Sequence, residues 1–140
     1  MTALHETVRG DRDSHEWWRA LANQDLLVQT CEQCGVHRWP PRAICNRCGA
    51  GSWRWSTASG AGTVVSWIVN RHAFSRDLAI PSVVLLVRLD EQDDLVLPGA
   101  YDGPADGDGL EVGAAVTVRF VDAADGSTRL AWRLAGDAAT

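Results

Sequence analysis

Beyond residue 60 the chain is dominated by short segments in which apolar and polar residues alternate with a period of two. This is the pattern of β-strands that bury one face. Turn-forming residues separate the segments, which are Thr63–Asn70, Ser82–Leu89, Leu95–Leu97, Ala115–Val121 and Thr128–Leu134. Five short strands with hardly any helix predict a small closed barrel, because closure leaves no exposed sheet edge. The most economical fold of this kind is an OB-fold.

The alternation also predicts which side chains share a face of a strand. In the first strand Val65, Trp67 and Val69 are expected on one side. The second strand is apolar on both sides, with Val83, Leu85, Val87 and Leu89 on one face and Val84 and Leu86 on the other. The segment Tyr101–Gly109 is rich in Asp and Gly and is expected to form an acidic surface loop.

The N-terminal part has apolar residues at helical spacing and predicts a helix over about 14–23, capped by Asp13 or Ser14. Its apolar side includes Trp17, Trp18 and Leu21. Two adjacent tryptophans cannot point in the same direction from a helix. At least one of them is therefore expected to contact a partner, unless the chain itself covers both.

All four cysteines lie in two C-x-x-C-G motifs, in which Cys31 and Cys34 precede Gly35 and Cys45 and Cys48 precede Gly49. Four thiolates placed in this way are the usual tetrahedral ligand set of a structural zinc ion. The glycine supplies the positive φ that a metal knuckle needs. A short strand, Leu26–Thr30, leads into the first pair, and the ten residues between the pairs fit a tight, rubredoxin-like ribbon.

Two alternatives to zinc are a pair of disulfides and a thioredoxin-type redox pair. Disulfides need an oxidising compartment, and Met1–Gly10 has no apolar core of the kind that a secretory signal requires. We therefore favour zinc and expect the protein to be cytoplasmic. With all four thiols held by a metal, no cysteine remains to act as a nucleophile.

The segment Ser59–Gly62 interrupts the apolar pattern and marks a domain boundary. We predict an arm with the helix and lead strand at 1–30, a zinc ribbon at 31–58 and an OB-fold domain at 59–140. No stretch approaches the ~18 consecutive apolar residues of a membrane span.

Charge is distributed unevenly along the 140 residues, whose net charge is −5. Residues 1–30 carry a net −2, residues 31–60 carry +3 and residues 61–140 carry −6. A duplex-binding domain needs a broad basic face, which this distribution does not provide. A local patch on the ribbon, Arg38, Arg42, Arg47 and Arg54, has the size to contact a few phosphates of one small ligand, although it also fits a solvated surface.

Two further functions agree with single features of the sequence. Zinc ribbons and OB-folds both occur in proteins that bind single-stranded nucleic acid, and the seven tryptophans offer stacking surfaces, but the acidic barrel segment argues against it. A stand-alone enzyme needs a positioned base, and the best candidate, His72, has no visible orienting partner.

The chain resembles the acyl-CoA-associated zinc-ribbon/OB-fold family, long catalogued as a domain of unknown function. The resemblance covers about His15 to Val121. It rests on the order and spacing of several motifs, namely the helix HEWWRAL at 15–21, the strand LLVQ at 26–29, the two cysteine pairs with Pro40-Pro41-Arg42 between them, Ser59-Gly60-x-Gly62-Thr63, Ile80-Pro81, and Leu110-x-Val112-Gly113 before Val116-x-Val118-x-Phe120.

The resemblance implies a non-catalytic subunit of a hetero-oligomer. Its expected partner is a thiolase-like enzyme, or a hot-dog-fold hydratase, that acts on acyl-CoA, including aldolases that shorten steroid side chains. Structural zinc and a shared coenzyme A thioester are the expected cofactors. We expect Arg38, Arg42, Arg47 and Arg71 to meet coenzyme A phosphates. The partner is expected at Trp17, Trp18, Leu21 and Trp39.

Overall fold

A computed structural model describes residues 13–74, 76 and 78–136 of the chain. These residues form two compact units, one of residues 13–59 with 120–129 and the other of residues 60–119 with 130–136. The architecture is mainly β with one short N-terminal helix, a ribbon that holds four cysteines and a closed five-stranded barrel, which confirms the predicted fold class. Residues 1–12 of the predicted arm and residues 137–140 lie outside the described residues.

Helix α1, His15–Ala22, is one residue shorter at each end than the pattern predicts. Ser14 is its N-cap and accepts the backbone N–H of Trp18 through its carbonyl at 3.1 Å, but its side chain makes no capping bond. The helix buries Trp17, Ala20 and Leu21. No helix in the described part of the chain is both long and apolar enough to cross a bilayer.

Three antiparallel strands form the sheet of the first unit: β1, Leu27–Cys31; β2, His37–Arg38; and β3, Trp53–Thr57. Strand β1 lies in the middle of the sheet, so its backbone is paired on both edges, and its side chains Gln29 and Thr30 are almost fully buried. The hydroxyl of Thr30 lies 2.9 Å from Nδ1 of His37 and 2.7 Å from the hydroxyl of Ser56. These bonds satisfy a polar group that would otherwise be costly to bury.

The barrel consists of β4, Ala61–Asn70; β5, Ser82–Leu89; β6, Val96–Tyr101; β7, Ala115–Asp122; and β8, Thr128–Leu134. Its closed order is β4-β5-β6-β8-β7, and β6 and β8 run parallel. Pairing of β4 with β7 closes the ring. Three barrel strands extend beyond their predicted ends: β4 begins at Ala61, β6 continues through Pro98 and Gly99 to Tyr101, and β7 ends at Asp122.

A β-bulge in β4 changes which of its side chains face inward. The pairing of β4 with β5 shifts register between Val64 and Ser66. Val64 is consequently buried, with 1% of its surface exposed, whereas Val65 is only half-buried. The predicted face of Val65, Trp67 and Val69 was therefore wrong at Val65, because the bulge inserts one residue into the period-two pattern.

In strand β5 the residues share faces as the alternating pattern predicts. Its inward residues are 6% exposed or less, and they are Val83, Leu85, Val87 and Leu89. The outward residues Val84 and Leu86 are 40% and 39% exposed. A strand of this kind is apolar on the side that meets solvent as well as on the side that forms the core.

The barrel interior is built around Trp132 of β8, which is fully buried. Its indole ring lies directly over Gly99 of β6, so that a Cβ atom added at Gly99 would be 2.6 Å from the indole Nε1. Only glycine leaves room for this contact.

We predict that Gly99→Ala destabilises the barrel by about 1–3 kcal/mol, since the extra methyl group overpacks the core against a large rigid ring. Urea unfolding followed by circular dichroism measures the loss. Gly136→Ala is the matched control, because no atom lies within 4 Å of its added Cβ. Equal stability of the two variants would contradict the predicted packing.

Candidate metal centre and basic patch

The two cysteine knuckles have the same backbone geometry. In each, the N–H of the first cysteine, Cys31 or Cys45, donates to the carbonyl five residues further on at 2.9 Å. The glycine N–H donates back to that cysteine's carbonyl, at 3.0 Å for Gly35 and 2.9 Å for Gly49. Both glycines have positive φ, 78° and 80°. No atom lies within 4 Å of a Cβ at either position, so backbone conformation and not space favours glycine.

The four sulfurs converge on one point. All four Sγ atoms lie within 4.8 Å of one another, with 3.6 Å between Cys31 and Cys48 and 3.7 Å between Cys34 and Cys45. A disulfide needs sulfurs about 2.05 Å apart, and all four cysteines are free. A tetrahedron with zinc–sulfur bonds of 2.3 Å has edges of about 3.8 Å. The donor set and its spacing therefore fit a structural zinc ion, and the disulfide alternative does not fit.

The thiols of the cluster differ in acidity. A hydrogen bond from the backbone N–H of Cys48 is the main cause that lowers the pKa of Cys45 to about 6. The backbone N–H of Cys34 likewise lowers the pKa of Cys31. At Cys48 a bond from the backbone N–H of Ala50 is outweighed by burial and by the neighbouring thiols, which raise its pKa to about 11. A divalent cation allows all four thiols to ionise together.

Two of the ligands are part of a very small core. Cys31 and Cys45 are each 1% exposed and pack with Val36 and Ala50. A core of this size cannot hold the ribbon by burial alone, so the energy of metal binding serves as folding energy. With four sulfur ligands the ion has no open position for water or substrate, which makes the centre structural and not catalytic.

The structure separates the members of the predicted basic patch. Arg38 is buried, with 4% of its surface exposed, and its Nη2 donates to the backbone carbonyl of Arg42 at 2.8 Å. Gln29, directly opposite Arg38 in the pairing of β1 with β2, accepts the backbone N–H of Arg42 at 2.8 Å. Arg38 and Gln29 thus form a clamp that holds the Pro-Pro-Arg link against the sheet.

The remaining arginines differ in position and exposure. Arg42 is half-buried, whereas Arg47 and Arg54 are exposed on the same unit. Arg71 is exposed in the other unit, in the loop after β4. In that loop the side chain of Asn70 bonds the backbone of His72, but among the described residues the His72 imidazole has no hydrogen-bond partner to orient it as a base.

The predicted partner residues form one aromatic cluster. The ring of Trp17 lies 4.9 Å from that of Trp18 and 5.7 Å from that of Trp39. Trp17, which contacts both other rings, is 4% exposed, and Leu21 of the same helix is fully buried, so neither residue is available at the surface. Trp18 and Trp39 are half-buried and keep an exposed part. The expectation of direct partner contact therefore narrows to Trp18 and Trp39.

Near the clamp lie five buried nitrogen atoms that make no hydrogen bond to any described residue: Trp17 Nε1, Gln29 Nε2, Arg38 Nε and Nη1, and Trp39 Nε1. All of them are donors. Gln29 was not among the site residues predicted from the sequence. The signal that could have identified it is a polar glutamine at the end of the apolar run Leu-Leu-Val-Gln.

We predict that Cys45→Ser lowers bound zinc from about one ion per chain to a small fraction of that, because one of four ligands is lost. The ribbon should unfold while the barrel persists. Elemental analysis measures zinc, and amide hydrogen exchange compares protection in β1 with that in β5. Ser52→Ala, an exposed position in the same unit, is the control. Normal zinc content or unchanged protection of β1 in Cys45→Ser would contradict the assignment.

Comparison with known proteins gives two adjacent family matches: residues 18–54 match the rubredoxin-like zinc ribbon domain of ChsH2, and residues 55–121 match its C-terminal OB-fold domain. A probable enoyl-CoA hydratase alpha subunit of Thermomonospora curvata is 34% identical over 121 residues, 86% of this chain. The chain matches only 37% of that protein's length.

Two solved structures have the same fold. One, described as an Ltp2-ChsH2(DUF35) aldolase, is 32% identical and superposes with a TM-score of 0.82 over 90% of this chain and 97% of the other. The second, a protein of unknown function from the DUF35 family of Sulfolobus solfataricus, is 15% identical, with a TM-score of 0.63 over 96% of this chain and 98% of the other. The chain belongs to the ChsH2 (DUF35) family of proteins, which join a rubredoxin-like zinc ribbon to an OB-fold.

Proposed function

We propose that this chain is a non-catalytic subunit that binds and organises a thiolase-superfamily partner acting on acyl-CoA substrates, in cleavage or formation of carbon–carbon bonds. The observation that carries the proposal is the similarity to a chain of a solved Ltp2-ChsH2(DUF35) aldolase. The two chains are 32% identical, and the match covers 97% of the aldolase chain. Zinc ribbon, helix and barrel are all present here, so the whole binding module is available to a partner.

The chemistry of the described residues supports an organising role. The four thiols form the metal centre, and the imidazole of His72 makes no hydrogen bond that would orient it for proton transfer. Acid–base catalysis needs a pair of positioned proton donor and acceptor groups, and nucleophilic catalysis needs a neighbouring group that activates the nucleophile. The reacting groups are then expected on the partner. We further propose a cytoplasmic location, which the spacing of four unbridged cysteines supports.

The aromatic cluster is the surface that we assign to the partner. Trp18 and Trp39 are half-buried, and both contact the ring of the buried Trp17, which fixes their positions. Large aromatic side chains on a rigid base are typical energetic centres of protein interfaces. Zinc contributes because it stiffens the ribbon against which the cluster is packed.

The clamp region is the site that we assign to the phosphates of coenzyme A. Arg42 and Arg47 bring guanidinium groups to this unit, and the buried Arg38 has unpaired N–H groups on Nε and Nη1. Guanidinium groups pair with phosphate through charged hydrogen bonds. Arg71 lies in the other unit, so its predicted phosphate contact rests on charge alone.

A hydratase is the second candidate for the partner, because one relative is a probable enoyl-CoA hydratase alpha subunit. This chain matches 37% of that protein, so the activity in its name is not assigned to the shared segment. Single-stranded nucleic acid is a weaker candidate ligand, since residues 61–140 carry twelve acidic residues against six arginines and Trp132 is buried in the barrel.

We predict that affinity purification of the tagged chain from its native cells recovers a thiolase-like or hydratase-like subunit in stoichiometric amount. Trp18→Ala should weaken its retention by about 30-fold, the effect of losing an aromatic interface centre worth about 2 kcal/mol. Mass spectrometry identifies and quantifies the recovered chain. Recovery of nucleic acid alone, or of no stoichiometric protein, would refute the proposed role.

Trp53→Ala is the matched control for this experiment. Trp53 is also half-buried, lies in the same unit and has its own ring contact, at 5.0 Å from Trp55. The Trp53→Ala variant should lose a similar ring contact but still retain the catalytic subunit. An equal loss of retention in both variants would indicate a folding effect and not a contact with the partner.

We predict that Arg42→Ala weakens binding of an acyl-CoA to the purified complex about 10- to 150-fold, through loss of a charged hydrogen bond worth about 1.5–3 kcal/mol. The chain should stay folded, because the clamp holds backbone atoms of Arg42 and not its guanidinium. Titration calorimetry with acetyl-CoA measures the affinity. Arg129→Ala, at an exposed ion pair elsewhere, is the control, and unchanged affinity in Arg42→Ala would remove Arg42 from the site.

A further inference from the structure

The outer surface of the barrel is apolar over three adjacent strands. Ile68 of β4 lies directly opposite Val84 of β5, which lies opposite Ala100 of β6. In the neighbouring row Leu86 lies between Ser66 and Pro98 in the same way. All six residues are exposed, and none is charged. We refer to these two rows, Ile68–Val84–Ala100 and Ser66–Leu86–Pro98, as the apolar face.

Geometry makes these side chains one continuous surface. Residues directly opposite each other in antiparallel strands have Cβ atoms about 5 Å apart and point to the same side of the sheet. Ile68 is 63% exposed, Val84 40% and Leu86 39%. Single exposed apolar residues are common, but contiguous exposed apolar patches on soluble proteins usually mark interaction sites. An outward strand position that faces only water is ordinarily polar.

The two ends of the apolar face differ in charge. Beyond the row of Leu86, the turn between β5 and β6 holds four carboxylates in five residues, at Asp90, Glu91, Asp93 and Asp94. The guanidinium of Arg88 beside it donates to the backbone carbonyl of Asp93. We refer to residues 90–94 as the acidic turn. It gives the apolar face a strongly negative border at this end.

At the opposite end the first acidic residue is neutralised. Asp102, just after β6, forms ion pairs with Arg133 at 2.7 Å and with Arg119 at 3.3 Å. The loop that follows carries Asp106 and Asp108 on either side of Gly107, and a Cβ added at Gly107 would lie 3.5 Å from Val83 of β5, so this end is acidic as well, although less densely than the acidic turn. A surface that complements this arrangement is apolar in the middle and carries Lys or Arg at its border, above all where it meets the acidic turn.

We propose that the apolar face is a second docking surface for the catalytic subunit, which contacts it through an apolar patch flanked by basic residues that meet the acidic turn. The inference rests on the proposed function and adds an interface separate from the aromatic cluster. A second copy of this chain is a poorer occupant, because residues 60–119 with 130–136 carry nine acidic residues against five arginines and two such units repel each other.

The test uses the full-length chain and the partner recovered with it. Val84→Asp/Leu86→Asp places two charges in the middle of the apolar face and should weaken retention of the catalytic subunit at least tenfold. Thr117→Asp is the control, because it adds a charge at an exposed position on β7, outside the face. Zinc content and circular dichroism verify that both variants are folded.

A second arm tests the charge of the partner. Asp90→Asn/Asp93→Asn should weaken binding several-fold at low salt and reduce its dependence on sodium chloride, because electrostatic attraction across an interface is screened by salt. A generic hydrophobic contact would show no such dependence. An unchanged salt dependence in this variant would overturn the assignment of a basic border to the partner.

The outcomes separate this inference from the function on which it rests. If the wild-type chain retains no catalytic subunit, both are overturned. If the wild type and Val84→Asp/Leu86→Asp retain it equally, only the docking of the apolar face is overturned. If light scattering shows that the isolated wild-type chain forms a dimer that the same variant abolishes, the occupant is a second copy and the proposed partner is wrong.

Discussion

Four sulfur atoms within 4.8 Å of one another are stable as thiolates only around a cation, and the first unit of this protein depends on that constraint. Cys31 is the last residue of β1, and it pairs with Trp53 at the start of β3. The metal centre therefore sets where both strands of the sheet meet the knuckles. The sheet in turn carries the clamp and the aromatic cluster, so the surfaces assigned to ligand and partner depend on a centre that takes no part in chemistry.

The clamp shows that a cation in the sequence need not be a cation on the surface. Arg38 lies in a run of arginines that suggested a phosphate site, yet the structure buries it beside Gln29. Its Nη2 holds the backbone of the link, while other N–H groups of the same guanidinium have no partner among the described residues. Arg38 therefore has a structural role in fixing the link, and its remaining N–H groups are still without a hydrogen-bond acceptor in the described part of the chain.

Much of this structure was predictable because its determinants are local in sequence. The knuckles follow from cysteine spacing and the glycine after each pair, and the two faces of β5 follow from simple alternation. The bulge at Val64 was not predictable, since it depends on how β4 pairs with another strand. The burial of Arg38 was also not predictable, because it depends on the pairing of β1 with β2 and on the link after it.

The two-sided apolarity of β5 has a consequence for how the protein is made. Ser82–Leu89 reads SVVLLVRL, a run rich in β-branched and aliphatic residues with a single charge. Such segments aggregate readily while they are exposed during folding. Closure of the barrel shelters one side of the strand and leaves the other open. If the proposed catalytic subunit covers that side, a chain synthesised in excess of it is the form most exposed to aggregation, so the cell should make the two proteins in matched amounts.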